Sequence, residues 1–245
     1  MNILITGGAG YIGSTLVKYY LDTGNRVTVV DNLLYKQVSL SQYCYNKKFN
    51  FIKLDVRDSN ELKKLVAAND VIIPLAAIVG FPACERDKQL ASAVNLGHIE
   101  TICKHLASNQ RVVYPNTNSG YGVGEEGQEC TEETPLNPIT HYGLTKCAAE
   151  RCVLDVGGIA LRLATVFGVS PRFRIDLLVN DFVYRAYKDG FIVLFEKDFK
   201  RNFIHVVDVC SAFLKMTSSY SKNTGEAFNV GLSSANLSKM QLCDK

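Results

Sequence analysis

The strand-like residues Asn2–Thr6 run directly into Gly7-Gly8-Ala9-Gly10-Tyr11-Ile12-Gly13, and a helical pattern continues to Thr23. This junction constrains the fold more than any other feature of the chain. Glycines at Gly7, Gly10 and Gly13 allow a tight turn, close approach of backbone to a pyrophosphate, and close packing of helix on strand. Free N–H groups at the helix start offer partial positive charge to an anion. With a strand before and a helix after, Gly7, Gly10, Tyr11, Ile12 and Gly13 read as a dinucleotide phosphate turn. A second strand, Arg26–Val30, ends at Asp31, at the ~20-residue spacing where an acid meets the adenosine ribose. A carboxylate there accepts bonds from the 2′ and 3′ hydroxyls and repels a 2′-phosphate. Asn32-Leu33-Leu34 follow, with no arginine close behind. The expected coenzyme is therefore NAD rather than NADP, with Asp31 and Asn32 in its site. Asp55 and Val56, closing the third strand, are placed to meet adenine in the same crevice.

Short β-branched runs then alternate with longer helical patterns, the mark of βαβ units and a parallel sheet. Strands are expected at Asn2–Thr6, Arg26–Val30, Phe49–Leu54, Asp70–Pro74, Arg111–Pro115 and Ile159–Leu163, and helices at Gly13–Thr23, Glu61–Ala68, Gln89–Ser108 and Tyr142–Leu154. The fold class is α/β, a Rossmann-type doubly wound parallel sheet spanning 1–168. After Gly168 the rhythm changes. A Pro- and Arg-containing loop (Ser170–Arg174) precedes a helix (Asp176–Tyr187) and short strands near Ile192–Phe195 and Asn202–His205. A helix (Val207–Ser218) and a strand (Ala227–Val230) follow. This reads as a smaller C-terminal substrate-binding lobe, 169–245, on the carboxyl edge of the sheet. The chain stops inside what reads as a new helix starting near Ser238, so a further C-terminal piece is expected.

Composition removes several function classes. Lys and Arg total 27 against 24 acids, a formal charge of +3; this near-balance gives no support to nucleic acid or a membrane surface as partner. The longest uncharged apolar stretch, Val71–Cys84, is broken by Pro74, Gly80 and Pro82 and falls short of a membrane span. Eight cysteines form no CxxC pair, which fits reduced thiols in a cytoplasmic protein better than a disulfide scaffold. The four histidines show no ligand spacing with acids or cysteines, and no metal is expected.

Tyr142 and Lys146 stand at i and i+4, stacked on one helix face. A neighbouring cation stabilises phenolate and is expected to lower the phenol from its usual value near ~10. Such a tyrosine can take a proton from a hydroxyl while hydride leaves for a nicotinamide. In isolation the pattern more often marks an exposed tyrosine beside a solvated lysine; the dinucleotide turn upstream favours the catalytic reading. Thr117, just after the strand ending at Pro115, is the candidate third member, with Ser119 as its rival. Loops at strand C-termini carry function disproportionately in this architecture.

Thr6–Gly13, Asp31, Leu75-Ala76-Ala77, Thr117, Tyr142/Lys146 and Arg201-Asn202-Phe203-Ile204-His205-Val206 together resemble the extended short-chain dehydrogenase/reductase superfamily. More narrowly they resemble its NAD-dependent nucleotide-sugar epimerase/dehydratase branch. The resemblance covers nearly the whole chain. It implies that Tyr142 is the base, that Lys146 tunes it and holds the nicotinamide ribose, and that Thr117 aligns the substrate hydroxyl. It also implies coenzyme contacts from Leu75, Ala76 and Ala77, support of the lysine by Asn95, and adenine contacts from Asp55 and Val56. For the second lobe it implies a nucleoside-diphosphate sugar, with Arg201 on the pyrophosphate and Leu178 and Phe195 near the base. A guanidinium suits bidentate phosphate binding independently of the resemblance. The superfamily commonly pairs through the helices matching Gln89–Ser108 and Tyr142–Leu154, which implies a homodimer.

The departures narrow the chemistry. Sugar-nucleotide 4,6-dehydratases place an Asp-Glu pair after the catalytic threonine, where this chain has Asn118 and Ser119, so dehydration is not expected. Galactose epimerases carry a lysine at the place of Val79 and an asparagine at that of the substrate-side Thr165, which argues against UDP-galactose. Pro115–Gly122, Arg162–Gly168 and Asp181–Ala186 instead resemble a bacterial subgroup associated with C4 oxidation of GDP-linked heptoses for surface polysaccharides. The expected activity is NAD-dependent oxidation of a nucleotide-sugar hydroxyl at C4, as a 4-dehydrogenase or a 4-epimerase. A UDP-hexose 4-epimerase, a non-catalytic NAD-binding regulator on the same fold and an NADPH-dependent ketosugar reductase stand as alternatives.

Overall fold

The computed structural model describes residues 1–123 and 129–245. Alternation along β1 (Asn2–Thr6) sets the layering: Ile3 and Ile5 face one core and Leu4 the other. Strands apolar on both sides must be covered on both sides. Helix α1 (Tyr11–Asp22) returns antiparallel to β1 and feeds β2 (Arg26–Asp31); β3 (Phe49–Lys53), α2 (Ser59–Ala67) and β4 (Val71–Pro74) follow. Asp58 caps α2, its carboxylate accepting from Asn60 and Glu61 N–H, and Leu62 and Val66 bury the inner face. The chain continues through α3 (Phe81–Arg86), α4 (Lys88–Ser92), α5 (His98–His105), β5 (Arg111–Thr117), α6 (His141–Asp155) and β6 (Ile159–Leu163). Then come β7 (Thr165–Phe167), α7 (Leu178–Asp189), β8 (Lys200–His205), α8 (Val206–Ser218), β9 (Ala227–Val230), β10 (Asn236–Ser238) and α9 (Lys239–Cys243).

Seven strands form one parallel sheet in the order β3-β2-β1-β4-β5-β6-β9. One core packs α1 and α8 on a face built from Ile5, Val29, Ile73 and Leu161; the other packs α2, α5 and α6 on Leu4, Ile72, Val112 and Tyr114. Ile5 is fully buried, so Ile5→Ala would cost about 2–5 kcal/mol. The chain winds outward from β1 to β3 and then crosses back to β4. That reversal opens a crevice at the carboxyl ends of β1 and β4, where ligands bind in such sheets.

Four differences from the sequence expectation have local causes. Strand β5 runs on through Pro115 to Thr117, because pairing with β4 ends at Val112 while β6 pairs as far as Thr117; the missing proline N–H lies beyond the β4 ladder. The helix expected over Gln89–Ser108 is broken by a π-turn at Ala93–Gly97, a distortion that often accompanies functional positions. Ile192–Phe195 forms no strand. The helix and strand over 206–230, expected in the smaller lobe, belong to the main sheet, with α8 against α1 and β9 beside β6. The rest of the C-terminal part is a three-stranded sheet, β10-β8-β7, with α7 beside it. No helix among the described residues is long and apolar enough to cross a membrane.

Candidate active site

The glycine turn sits at the crevice. Gly7 has φ +66°, and a Cβ there would lie 2.6 Å from the Ala76 backbone, so the turn and the Leu75-Ala76-Ala77 segment after β4 touch main chain to main chain. A Cβ on Gly13 would lie 2.6 Å from Gly8 Cα, which fixes how closely α1 approaches its own turn. Gly10 is the N-cap of α1 and no side chain caps it. The first-turn N–H groups are left to a ligand, as an anion-binding helix start requires. The Asp31 carboxylate accepts from Ala9 N–H at 3.1 Å and from Leu33 N–H at 2.8 Å, joining the turn to the loop after β2. Burial raises its pKa and these two N–H bonds oppose the rise. An uncapped helix start, glycines that admit no side chain and a buried carboxylate at the ribose position fit an NAD pyrophosphate and ribose.

Farther along the crevice, Asn32 Nδ2 donates to Asp55 Oδ2 at 3.5 Å, and Arg57 grips the Asp55 carboxylate through Nε at 2.9 Å and Nη2 at 2.8 Å. The guanidinium holds Asp55 down at about 2, so it is an acceptor at any working pH. Val56 beside it is buried. The Tyr11 hydroxyl donates to Gly168 O at 2.7 Å, and Ser170 Oγ donates to Tyr11 O at 2.6 Å. Through these bonds the loop after β7 is fastened over the start of α1. Ile12 packs against the core beneath it.

The π-turn places Asn95, 1% exposed, between two parts of the site. Its Oδ1 accepts from Ile78 N–H at 2.8 Å, and its Nδ2 donates to Ile78 O at 3.0 Å and to Thr145 Oγ1 at 3.4 Å. Thr145 adjoins Lys146 on α6, so Asn95 locks the segment after β4 to the helix carrying Tyr142 and Lys146. Thr140 caps that helix at Gly143 N–H. Lys146 is 5% exposed, and its Nζ lies 4.0 Å from the Tyr114 ring centroid. Thr117 ends β5, with its Oγ1 accepting from Ser119 N–H at 3.2 Å and donating to Ser119 Oγ at 3.2 Å. The rival hydroxyls are therefore partners.

The expected lowering of the phenol by its helical neighbour is corrected by the structure. Burial pushes Tyr142 up to about 12, and the cation pulling it down is Arg174 rather than Lys146. Burial also pushes Lys146 down to about 7. Burial disfavours the charged form of each group, the Lys146 ammonium as well as a Tyr142 phenolate.

The residues expected on the substrate side lie elsewhere. Thr165 opens β7 and Leu178 opens α7, both half-buried. Phe195 is 75% exposed, which excludes it from the core. Arg201 is exposed on β8 with its guanidinium carbon 5.5 Å from the Phe199 ring centroid. Sequence reasoning missed Arg174, Tyr114, Ser170 and the buried pair Glu150–Arg162. Of these, Glu150 alone left a readable signal, an acid one helical turn beyond Lys146.

Comparison with known proteins agrees with this geometry. Residues 3–231 match the NAD dependent epimerase/dehydratase family. The chain is 30% identical to the low-salt glycan biosynthesis protein Agl12 of Haloferax volcanii, covering 100% of this chain and 81% of that protein. It is 28% identical to UDP-glucose 4-epimerase 2 of Oryza sativa, covering 94% of this chain and 65% of that one. The solved UDP-glucuronic acid 4-epimerase of Bacillus cereus, in complex with UDP-glucuronic acid and NAD, superposes with a TM-score of 0.87 at 25% identity, over 98% of this chain and 80% of its own.

Proposed function

The chain belongs to the NAD-dependent epimerase/dehydratase family, and on that premise we propose that it oxidises a nucleotide-sugar hydroxyl at C4. The observation that carries the reading is Asn95, whose one side chain ties the coenzyme-facing segment at Ile78 to the helix of Tyr142 and Lys146. Bound NAD supplies the hydride acceptor. Tyr142 Oη takes the hydroxyl proton as the C–H bond breaks, leaving a ketone, and Thr117 Oγ1 orients that hydroxyl. Tyr142 must first be brought down from about 12. An anionic coenzyme favours the charged form of Lys146, and a Lys146 ammonium turned from the Tyr114 ring towards the phenol, together with Arg174, favours phenolate. Arg201 holds the substrate pyrophosphate, with Leu178 and Phe195 beside the base. Asn118 and Ser119 supply no carboxylate for removing water, so the ketone either receives hydride on its other face or leaves. The first course makes a 4-epimerase and the second a 4-dehydrogenase, with a GDP-heptose the first substrate to try. Assembly as a homodimer through α5 and α6 belongs to the same reading and is checked by light scattering.

The test is product analysis on a panel of UDP-, GDP-, CDP- and dTDP-sugars with the purified chain and its Tyr142→Phe variant. An inverted C4 centre without net NADH assigns an epimerase, and a keto sugar with stoichiometric NADH assigns a dehydrogenase. Either activity should vanish in Tyr142→Phe while NAD stays bound. A protein that binds NAD and leaves every sugar unchanged is instead a non-catalytic NAD-binding regulator.

A further inference from the structure

Beneath the proposed reacting groups lies a row of polar side chains where an α/β sheet is ordinarily apolar. Asn116, Arg162 and Asn229 are direct neighbours across β5, β6 and β9. The first two are buried, and Glu150, 2% exposed, descends on them from α6. Arg162 meets the Glu150 carboxylate with Nε at 3.2 and 3.1 Å and Nη2 at 2.7 Å, and Asn116 Nδ2 donates to Glu150 Oε2. The remaining guanidinium nitrogen, Nη1, donates to the Tyr121 hydroxyl at 2.9 Å and to Glu132 O at 3.0 Å. Tyr121 in turn donates to Asn229 Oδ1 at 2.7 Å.

Stability alone gives weak grounds for such a pair, since apolar residues of similar size often serve a buried position as well or better. The placement gives a stronger reason. Asn116 immediately precedes Thr117 on β5. Glu150 lies one helical turn beyond Lys146 and two beyond Tyr142, about 6 and 12 Å along α6. Tyr121 closes the short turn that follows Thr117. We propose that Glu150 and Arg162 are positioning residues that set the strand end bearing Thr117 in register with the helix face bearing Tyr142 and Lys146. The inference rests on reading those three as the reacting groups. An ion pair with directional bonds from a planar fork fixes both translation and rotation of helix on strand; an apolar contact fixes neither as tightly. A misplacement of about 1 Å between reacting groups is enough to lower turnover by about 100-fold.

The test compares wild type with Glu150→Leu/Arg162→Met, which removes both charges together, and with Asn116→Ala, which spares the ion pair and cuts its bond to the Thr117 strand. Positioning predicts a double variant that still folds and binds NAD and substrate as wild type does, with a Tm lowered only by the bond that buried Asn116 loses, and whose kcat has fallen by about 100-fold. Asn116→Ala should show the same split, a lowered kcat with KM held. Full turnover in a folded double variant overturns the proposal. If the double variant does not fold, Asn116→Ala decides, and unchanged kcat there overturns it. Tyr142→Phe in the same assay separates the two ideas: retained turnover removes the reading of the site itself, whereas a dead Tyr142→Phe beside a fully active double variant removes only the positioning role.

Discussion

Lys146 gives the prediction with the clearest sign. The residue is 5% exposed, and burial pushes its pKa from 10.5 down to about 7. Below about pH 7 the lysine is charged in the folded and unfolded chains alike, and folding bears the whole cost of burying an ammonium. Between about 7 and 10.5 the unfolded chain keeps a proton that the folded chain has released, so raising the pH stabilises the fold. Above 10.5 the difference is gone. The slope in that interval is about 1.4 kcal/mol per pH unit, and the limiting value is roughly 5 kcal/mol. The Tyr114 ring offsets about 1–2 kcal/mol of it while the amine is charged. Lys146→Met replaces the side chain by an apolar one of similar length, and every other titrating group is common to both proteins. Coenzyme-free Lys146→Met should therefore be the more stable protein at about pH 6. Wild type should gain on it by about 3 kcal/mol by about pH 9. Urea unfolding of both proteins across that range measures the difference directly. A difference that does not change with pH, or a wild type already the more stable at pH 6, would show that burying the Lys146 ammonium does not cost the fold what its lowered pKa implies.

Three further substitutions probe the coenzyme side. Asp31→Ala removes a charged acceptor from Ala9 and Leu33 N–H; it should weaken NAD by about 1.5–3 kcal/mol, tenfold to about 150-fold in Kd, and narrow the discrimination against NADP, both read by calorimetric titration. Gly13→Ala puts a Cβ 2.6 Å from Gly8 Cα; the overpacking should cost about 1–3 kcal/mol in thermal unfolding and loosen NAD in the same titration. Ser170→Ala cuts the bonds to Tyr11 O and Ser14 Oγ; NAD should dissociate about 5- to 30-fold faster in stopped-flow displacement, and an unchanged rate would mean that this loop does not retain the coenzyme.

The chain disclosed its fold through local signals. The glycine turn, the β-branched runs of the strands and the helical patterns between them each lie within a dozen residues, and β1, α1, β2 and α2 formed within two residues of where those signals placed them. Pro115 misled because a proline's meaning depends on whether a neighbouring strand is still paired there, and the pairing of β4 with β5 had ended at Ile72 and Val112. The assignment of 206–230 to the second lobe failed for a related reason: Ala227–Val230 looks the same as a strand of either sheet, and only its pairing with β6 decides. The candidate site divides along the same line. Residue types with a distinctive spacing, such as Tyr142 and Lys146, were readable, whereas their electrostatics were not. Spacing on a helix puts two side chains on one face, but whether the cation faces the phenol or the ring of Tyr114 is set by a strand distant in sequence. The polar row of Asn116, Arg162 and Asn229 was hidden still more deeply, because three strands and a helix must assemble before those side chains meet. That order of assembly has a consequence for function. The groups proposed to touch the reactants lie on short motifs that a single segment can carry, while the groups proposed to hold them in register exist as a set only after the whole sheet has closed. A variant of the first kind should lose chemistry in an intact protein; one of the second should lose the alignment of chemistry that is still fully present.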